Sequence, residues 1–176
     1  MTQANDATNK QKHFSQQEIK KWMAEQPKKP ISAKVAIWDD RGRLLVVKTT
    51  YKPGWFLVGG MVGQNESPLK AALREAKEEV GANLTPEQLT FLGVRYGLSK
   101  ERQDDYLHIL FSCRLTEAQA KGLTLHDDEL EAIRWVSLDE TNLEILDHTY
   151  RLLSRARQKA GVALYDDQDE IYVAPE

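Results

Sequence analysis

The stretch GGMVGQNESPLKAALREAKEEVGA, residues 59–82, decides the fold of this 176-residue chain. Ser67 followed by Pro68 is typical of a helix start, because the serine side chain accepts a hydrogen bond from the first turn and proline fits the first helical position. Gly81 suits the left-handed residue that often ends a helix. The sequence therefore predicts a helix from Pro68 to Val80, preceded by a loop that begins at a glycine pair.

The predicted helix has an apolar edge beside an acidic edge. At about 100° per residue, four apolar residues share an arc of about 60° and should pack on the rest of the fold: Leu69, Leu73, Ala76 and Val80. Three carboxylates share the adjacent arc of about 100°: Glu75, Glu78 and Glu79. Like charges at these spacings destabilise a helix by about 0.2–0.5 kcal/mol per pair. A divalent cation would reverse that effect, since carboxylate oxygens are hard ligands; a solvated acidic face is the alternative.

The glycines and charged residues of the stretch follow a specific spacing: Gly60, five residues, Glu66, seven residues, Arg74-Glu75, two residues, Glu78-Glu79, one residue, Gly81. With residue frequencies of about 7%, seven fixed positions match by accident on the order of once in a hundred million starting points. The pattern resembles the Nudix box, the signature of the Nudix hydrolases, at every glycine and charged position. The resemblance implies an α/β (α+β) fold, the Nudix-like α/β/α sandwich, with a mixed β-sheet flanked by helices.

Apolar residues at period two predict the strands of that sheet. The turn Asp39-Asp40-Arg41-Gly42 separates two such runs and indicates a hairpin. A brief strand is expected just before the glycine pair, and a long helix near the end of the chain. The predicted strands are 31–37, 43–48, 55–58, 90–96, 105–115 and 131–136, and the helix is 141–160. Strands and helices that do not strictly alternate favour a mixed sheet.

Length predicts one domain with short extensions, because domains contain roughly 150 residues. We expect an N-terminal extension over 1–30, where Ser15 and Glu18 form a capping box for a short helix. The Nudix hydrolase domain should cover 31–165. Residues 166–176 are expected to form a C-terminal tail.

Charge and cysteine content restrict the partners. The net charge of −3 provides no basic field for a long nucleic acid, so we expect no polynucleotide partner. Cys113 is alone, the N-terminus lacks a signal peptide, and no run approaches the ~20 apolar residues of a membrane span. These features predict a cytoplasmic protein without a membrane partner. A homodimer that uses the N-terminal helix with Trp22 is compatible with the sequence.

The resemblance implies hydrolysis of the pyrophosphate bond in a nucleoside diphosphate linked to another moiety. Candidate substrates are small molecules of the ADP-ribose, sugar nucleotide, NADH or dinucleoside polyphosphate type. A nucleoside triphosphate pyrophosphohydrolase is an open alternative. Less favoured is a non-catalytic nucleotide-sensing module, whose usual sign is a damaged acidic set, or a prenyl diphosphate isomerase, for which Cys113 is poorly placed.

The resemblance also implies a site built around Mg²⁺ or Mn²⁺. The expected ligands are the carbonyl oxygen of Gly59 and four carboxylates that are also the catalytic candidates: Glu75, Glu78, Glu79 and Glu129. Glu129 comes from the loop HDDELEAIRW, where an exposed acidic loop is the alternative interpretation. Whether Glu75 or Glu129 accepts the proton stays open. Structural support should come from Gly60, Gly81 and a Glu66–Arg74 ion pair.

Six further residues are candidates for substrate binding. Three basic residues on predicted strands are candidates for phosphate contacts: Lys34, Lys48 and Arg95. Three aromatic residues in or beside strands are candidates for stacking on a base: Tyr51, Trp55 and Tyr106. For each, a packing or solvated role is the alternative.

Overall fold

A computed structural model of the chain describes residues 14–99, 104–139, 153–154, 164–167 and 170–173. Helices and strands follow one another along the chain as α1 (Gln16–Glu25), β1 (Ile31–Trp38), β2 (Leu44–Thr49), α2 (Pro68–Val80), β3 (Thr90–Ser99), β4 (Asp104–Arg114), α3 (Glu117–Lys121), β5 (Leu130–Val136), β6 (Leu164–Asp167) and β7 (Glu170–Val173). A 3₁₀ turn at Pro86–Gln88 precedes β3. Most of the long helix predicted over 141–160 lies outside the described residues.

Seven strands of the described part of the chain form one mixed sheet, in the order β5-β2-β1-β4-β3-β6-β7. β1 is antiparallel to β2 and parallel to β4, while β3 is antiparallel to β4 and parallel to β6. The predicted α/β fold with a mixed sheet is confirmed. The predicted boundary after residue 165 falls inside β6, and β7, which lies in the predicted tail, pairs with β6.

The segment 55–58, predicted as a strand, forms isolated bridges instead. Phe56 exchanges backbone hydrogen bonds with Val47 of β2, and the Val58 carbonyl accepts from the Val35 N–H of β1 at 2.9 Å. The segment therefore lies between β1 and β2 and fills the gap between them. The glycine pair that follows is held alongside β1.

Alternate residues of β1 enter two hydrophobic layers on opposite faces of the sheet. Val35 and Ile37 pack with the buried residues of α2 in the first layer, which also contains Cys113. Ala36 belongs to the second layer, together with Leu153. Hydrophobic layers therefore lie on both faces of the sheet. No helix among the described residues combines the length and hydrophobicity of a membrane span.

The buried face of α2 consists largely of alanine, with Ala71, Ala72, Ala76 and Val80 buried. The prediction that Leu73 packs on this edge is wrong, because Leu73 is only partly buried and lies outside both layers. Ala72 takes that place, since it shares an i, i+4, i+8 row with Ala76 and Val80. The distance between packed elements depends on the side chains at the contact, so methyl groups allow α2 to approach β1 closely.

Replacing Ala76 with leucine should push α2 away from β1. Ala76 is completely buried, and extra methylene groups in a well-packed core destabilise by about 1–3 kcal/mol. We expect a loss of that size in urea unfolding. Ala118→Leu on α3 is the matched control, because Ala118 is exposed and its replacement should change stability by less than about 0.5 kcal/mol. Equal unfolding midpoints for both variants would contradict the close helix–sheet contact.

Candidate active site

Gly59 and Gly60 lie beside β1 and provide the backbone of the site. The Gly60 carbonyl accepts from the Ala33 N–H at 2.9 Å. Gly59 has φ of 129°, and an added Cβ would lie 2.1 Å from the Ala33 carbonyl oxygen. At Gly60, an added Cβ would lie 2.4 Å from Oε1 of Glu75. Glycine is therefore needed at the first position because of the backbone of β1, whereas at the second position a side chain would displace the Glu75 carboxylate.

Glu79 is hydrogen-bonded to this backbone. Its Oε2 accepts from the Gly59 N–H at 2.7 Å. Burial raises the pKa of Glu79 to about 7; the Gly59 N–H and Lys34 oppose the rise, and the charges of Glu75 and Asp127 add to it. Glu79 is thus a partly buried carboxylate near other carboxylates, a setting that favours a bound cation or proton.

Arg74 holds the other carboxylates of the stretch. Its Nε and Nη2 donate to the two oxygens of Glu66 at 2.9 and 3.0 Å, so the predicted ion pair is present and bidentate. Its Nη1 donates to Glu75 at 2.7 Å and to Glu78 at 2.9 Å, and its Nη2 also donates to the Met61 carbonyl at 3.1 Å. The hydrogen bonds from Arg74 lower the pKa of Glu66 to about 2, and a hydrogen bond from the Gly63 backbone N–H adds to the effect. Arg74 therefore binds the preceding loop to α2.

The loop before β5 is bound to the end of α2. The Thr124 and His126 N–H groups donate to the carbonyls of Val80 and Glu79 at 3.3 and 3.1 Å. Gly81 ends the helix in the left-handed conformation with φ of 69°, as predicted, and an added Cβ would lie 2.7 Å from Nε2 of His126. These contacts bring the acidic residues of the loop to the carboxylate edge of α2.

Two acids of this loop act electrostatically on residues of the candidate site. The Glu129 carbonyl accepts from the Thr50 N–H at 2.9 Å, which connects the loop to the end of β2. Burial raises the pKa of Tyr51, and the charges of Glu129, Glu79 and Asp127 contribute to the rise. The charge of Asp127 also acts on Glu79. The sequence pattern predicts Glu129 but not Asp127, although an acid two residues before Glu129 was the available signal.

The three basic candidates for phosphate binding lie in different surroundings. Lys34 donates to the Gly59 carbonyl inside the site, and burial lowers the pKa of its ammonium. Lys48 pairs at 3.0 Å with Glu131, an exposed carboxylate. Arg95 is buried on β3, where its Nη1 donates to a tyrosine hydroxyl of β4 at 3.2 Å. Lys34 is thus the basic candidate that the structure brings to the α2 carboxylates.

The aromatic candidates are also separated. Tyr51 is 62% exposed near the acidic loop, and Nζ of Lys52 lies 5.6 Å from the centroid of its ring. Tyr106 contacts His108, with ring centroids 4.6 Å apart. Trp55 packs against the second hydrophobic layer. Of the three aromatic candidates, Tyr51 is therefore the one on which the charges of the site carboxylates act.

The expected metal ligands are oxygens that suit a hard divalent cation, although the carboxylates among them bind other partners. Among the described residues, no three His, Cys, Asp or Glu side chains converge on one point. Arg74 binds Glu75 and Glu78, while a backbone N–H binds Glu79. All the donors are oxygens, and a lysine ammonium already contacts the glycine carbonyl. The residues therefore fit Mg²⁺ or Mn²⁺ if Glu75 and Glu78 turn away from Arg74.

Comparison with known proteins identifies a family and two relatives. A family model described as NUDIX domain matches residues 28–156. A MutT-like protein of Streptomyces ambofaciens is 27% identical over 122 residues, which cover 69% of this chain and 72% of the relative. Dihydroneopterin triphosphate diphosphatase of Escherichia coli K12 is 39% identical over 67 residues, or 37% of this chain; the match spans 45% of that relative.

A solved structure supports the fold. The NUDIX domain of Shewanella oneidensis NrtR, crystallised with ADP ribose, superposes with a TM-score of 0.64 and 15% identity. The superposition covers 80% of this chain and 97% of that chain. At this identity the likeness concerns the fold alone.

Glu79→Gln should change how stability depends on pH. The folded-state pKa of about 7 exceeds the ordinary 4.5, so between these values the folded chain keeps a proton that the unfolded chain has released. Stability therefore falls as pH rises through this window, by on the order of 1–3 kcal/mol, and the glutamine variant should lack this decline. Urea unfolding across the window in chelating buffer measures it.

Glu78→Gln is the matched control for this experiment. The Glu78 side chain is 55% exposed, so its replacement should preserve the pH dependence of the wild-type chain. Identical pH dependence in Glu79→Gln and wild type would show that Glu79 titrates normally.

Proposed function

The chain belongs to the Nudix hydrolase family, and from that membership we propose that it hydrolyses the pyrophosphate bond of a nucleoside diphosphate linked to another moiety. Nudix pyrophosphohydrolases act on nucleotide derivatives. The observation that carries the proposal is the placement of Glu75 and Glu79 against the backbone of Gly59 and Gly60. That placement presents carboxylate and carbonyl oxygens from two rigid elements on one side of the sheet.

The residues proposed to hold Mg²⁺ or Mn²⁺ are the Gly59 carbonyl with Glu75, Glu78 and Glu79 on α2, and Glu129 from the loop before β5. When bound, the ion neutralises the charge of the diphosphate and makes a water molecule more acidic. Glu79 supports this assignment because its partly buried carboxylate lies among other negative charges. The bidentate pair of Arg74 with Glu66 keeps the loop in place if Arg74 releases its other carboxylates.

A carboxylate is proposed to accept the proton of the attacking water. The Glu75 carboxylate lies next to Gly60, and Glu129 lies on the loop that is hydrogen-bonded to the end of β2. Both therefore stay candidates for this base. Asp127 joins them because its charge acts on Glu79. Positioned general bases typically contribute about 10²–10⁴-fold to rate.

Recognition of the nucleotide is proposed to involve Tyr51 and Lys34. Tyr51 is exposed beside the acidic loop and offers a ring on which a base can stack. Lys34 offers a positive charge next to Gly59. Lys48, Trp55, Arg95 and Tyr106 lie in the other surroundings described above, and their substrate roles stay predictions.

A nucleoside triphosphate pyrophosphohydrolase is the second candidate. It is supported by the 39% identity to a dihydroneopterin triphosphate diphosphatase, although that match covers less than half of either chain. The two candidates differ in their products. A triphosphate substrate yields inorganic pyrophosphate, whereas a conjugate yields the phosphorylated second moiety.

Cytoplasmic location and homodimer formation stay predictions from the sequence. Helix α1 carries the predicted capping box between Ser15 and Glu18, and it has no buried residue. Its exposed apolar residues are Ile19, Trp22 and Met23. These side chains support α1 as a candidate contact between copies of the chain.

A substrate panel with the Glu79→Gln variant tests the proposed function. The full-length chain is incubated with ADP-ribose, sugar nucleotides, NADH, dinucleoside polyphosphates and nucleoside triphosphates in Mg²⁺ or Mn²⁺, and the products are identified by mass spectrometry. We expect wild type to cleave at least one compound. Loss of Glu79 should slow cleavage by about 10²–10³-fold, the effect typical of removing one group that stabilises transition-state charge.

Glu117→Gln is the control, because Glu117 is an exposed helix glutamate paired with Lys121 on α3. Its activity should equal that of wild type. Equal turnover by wild type and Glu79→Gln contradicts the assignment of Glu79. Binding of one compound without cleavage supports the nucleotide-sensing alternative instead.

A further inference from the structure

Lys34 is an unusual lysine because it lies on a central strand of the sheet. The residues on either side of it, Ala33 and Val35, are completely buried. Lys34 stands opposite Gly59, since the Val35 N–H donates to the Val58 carbonyl and the Ala33 N–H donates to the Gly60 carbonyl. From this position its ammonium donates to the carbonyl oxygen of Gly59. That oxygen is the backbone ligand proposed for the metal ion.

The surroundings of Lys34 differ from those of other paired lysines. Lys29, Lys48 and Lys121 each form a direct ion pair with one carboxylate. No ion pair between described residues includes Lys34, whose ammonium is instead attracted through space by Glu79 and Glu75. A positive charge that contacts a backbone carbonyl near two carboxylates has the surroundings of a bound metal cation.

We propose that Lys34 is a tethered cation that competes with the divalent ion for the Gly59 carbonyl and for the charge of Glu79 and Glu75. That the competing ion is Mg²⁺ or Mn²⁺ rests on the proposed function. The competition itself is a statement about the affinity of the chain for a divalent ion. Two cations near one carbonyl repel each other, so loading of the site requires the ammonium to move aside. The flexible four-carbon stem of lysine permits that movement.

This role makes Lys34 a positioning residue with two effects. Its charge offsets the repulsion between Glu79 and Glu75, which keeps α2 close to the glycine pair. The same charge weakens binding of the divalent ion, so Lys34 sets the metal concentration at which the site fills.

The test measures Mn²⁺ affinity of the full-length chain without nucleotide, by calorimetry or by the electron spin resonance signal of free Mn²⁺. Lys34→Met removes the charge and the hydrogen bond, while Lys34→Gln removes the charge and keeps a donor. We expect both variants to bind Mn²⁺ roughly five- to tenfold more tightly at low ionic strength. The gain should shrink as added salt screens the charge.

Lys48→Met is the matched control, because Lys48 lies on the neighbouring strand and has its own exposed partner, Glu131. Its Mn²⁺ affinity should stay within about twofold of wild type, the size of a screened, distant charge. Lys34→Arg keeps the charge and should gain no affinity.

Unchanged or weaker Mn²⁺ binding in both neutral Lys34 variants overturns the inference and leaves the proposed function intact. A wild-type chain that binds no Mn²⁺ and cleaves no compound overturns the proposed function, and the inference with it. Tighter binding in Lys34→Gln with wild-type affinity in Lys48→Met supports competition at the glycine carbonyl. Tighter Mn²⁺ binding in Lys48→Met as well as in the neutral Lys34 variants assigns the effect to net charge and contradicts a specific role for Lys34.

Discussion

The hydrogen bond from the Gly59 N–H to the Glu79 carboxylate, at 2.7 Å, joins α2 to the sheet, and the candidate site depends on it. This hydrogen bond requires α2 to lie close to the backbone of the glycine pair, and both elements contribute to that close approach. Alanines on the buried face of α2 let the helix lie close to β1, and glycines leave the facing backbone uncovered. At Gly60 the space that a Cβ would occupy belongs to Glu75. Small residues on both sides of one contact therefore place carboxylates where backbone oxygens are also available.

Charge balance explains why this unfavourable cluster is tolerated. Three carboxylates within one turn destabilise the helix locally, and burial makes the problem worse for Glu79. Arg74 offsets part of the charge by bonding Glu66, Glu75 and Glu78. The ammonium of Lys34 acts on the remainder from β1. The fold thus supplies cations of its own, and binding of a divalent ion exchanges these contacts for stronger ones.

Features set by neighbours in the sequence could be predicted well. The start of α2 was predictable because Ser67 accepts from the Lys70 N–H, and its end because Gly81 takes a left-handed conformation. The Glu66–Arg74 pair followed from the resemblance. Leu73 was misplaced because its spacing cannot reveal how a helix rotates against a sheet. Contacts through space were beyond the pattern: the bridges at 55–58, the charge of Asp127 on Glu79, and Lys34 on a glycine carbonyl.

The most direct test of this account is anomalous diffraction from crystals of the chain grown with Mn²⁺ and an uncleavable diphosphate analogue. The account predicts an anomalous peak about 2.1 Å from a Glu79 carboxylate oxygen and from the Gly59 carbonyl oxygen, with the analogue's phosphate on the same ion. The Lys34 ammonium should have left that carbonyl. An anomalous peak elsewhere, with the Lys34 ammonium still on the Gly59 carbonyl, would contradict the claim that this helix–sheet contact binds a cation.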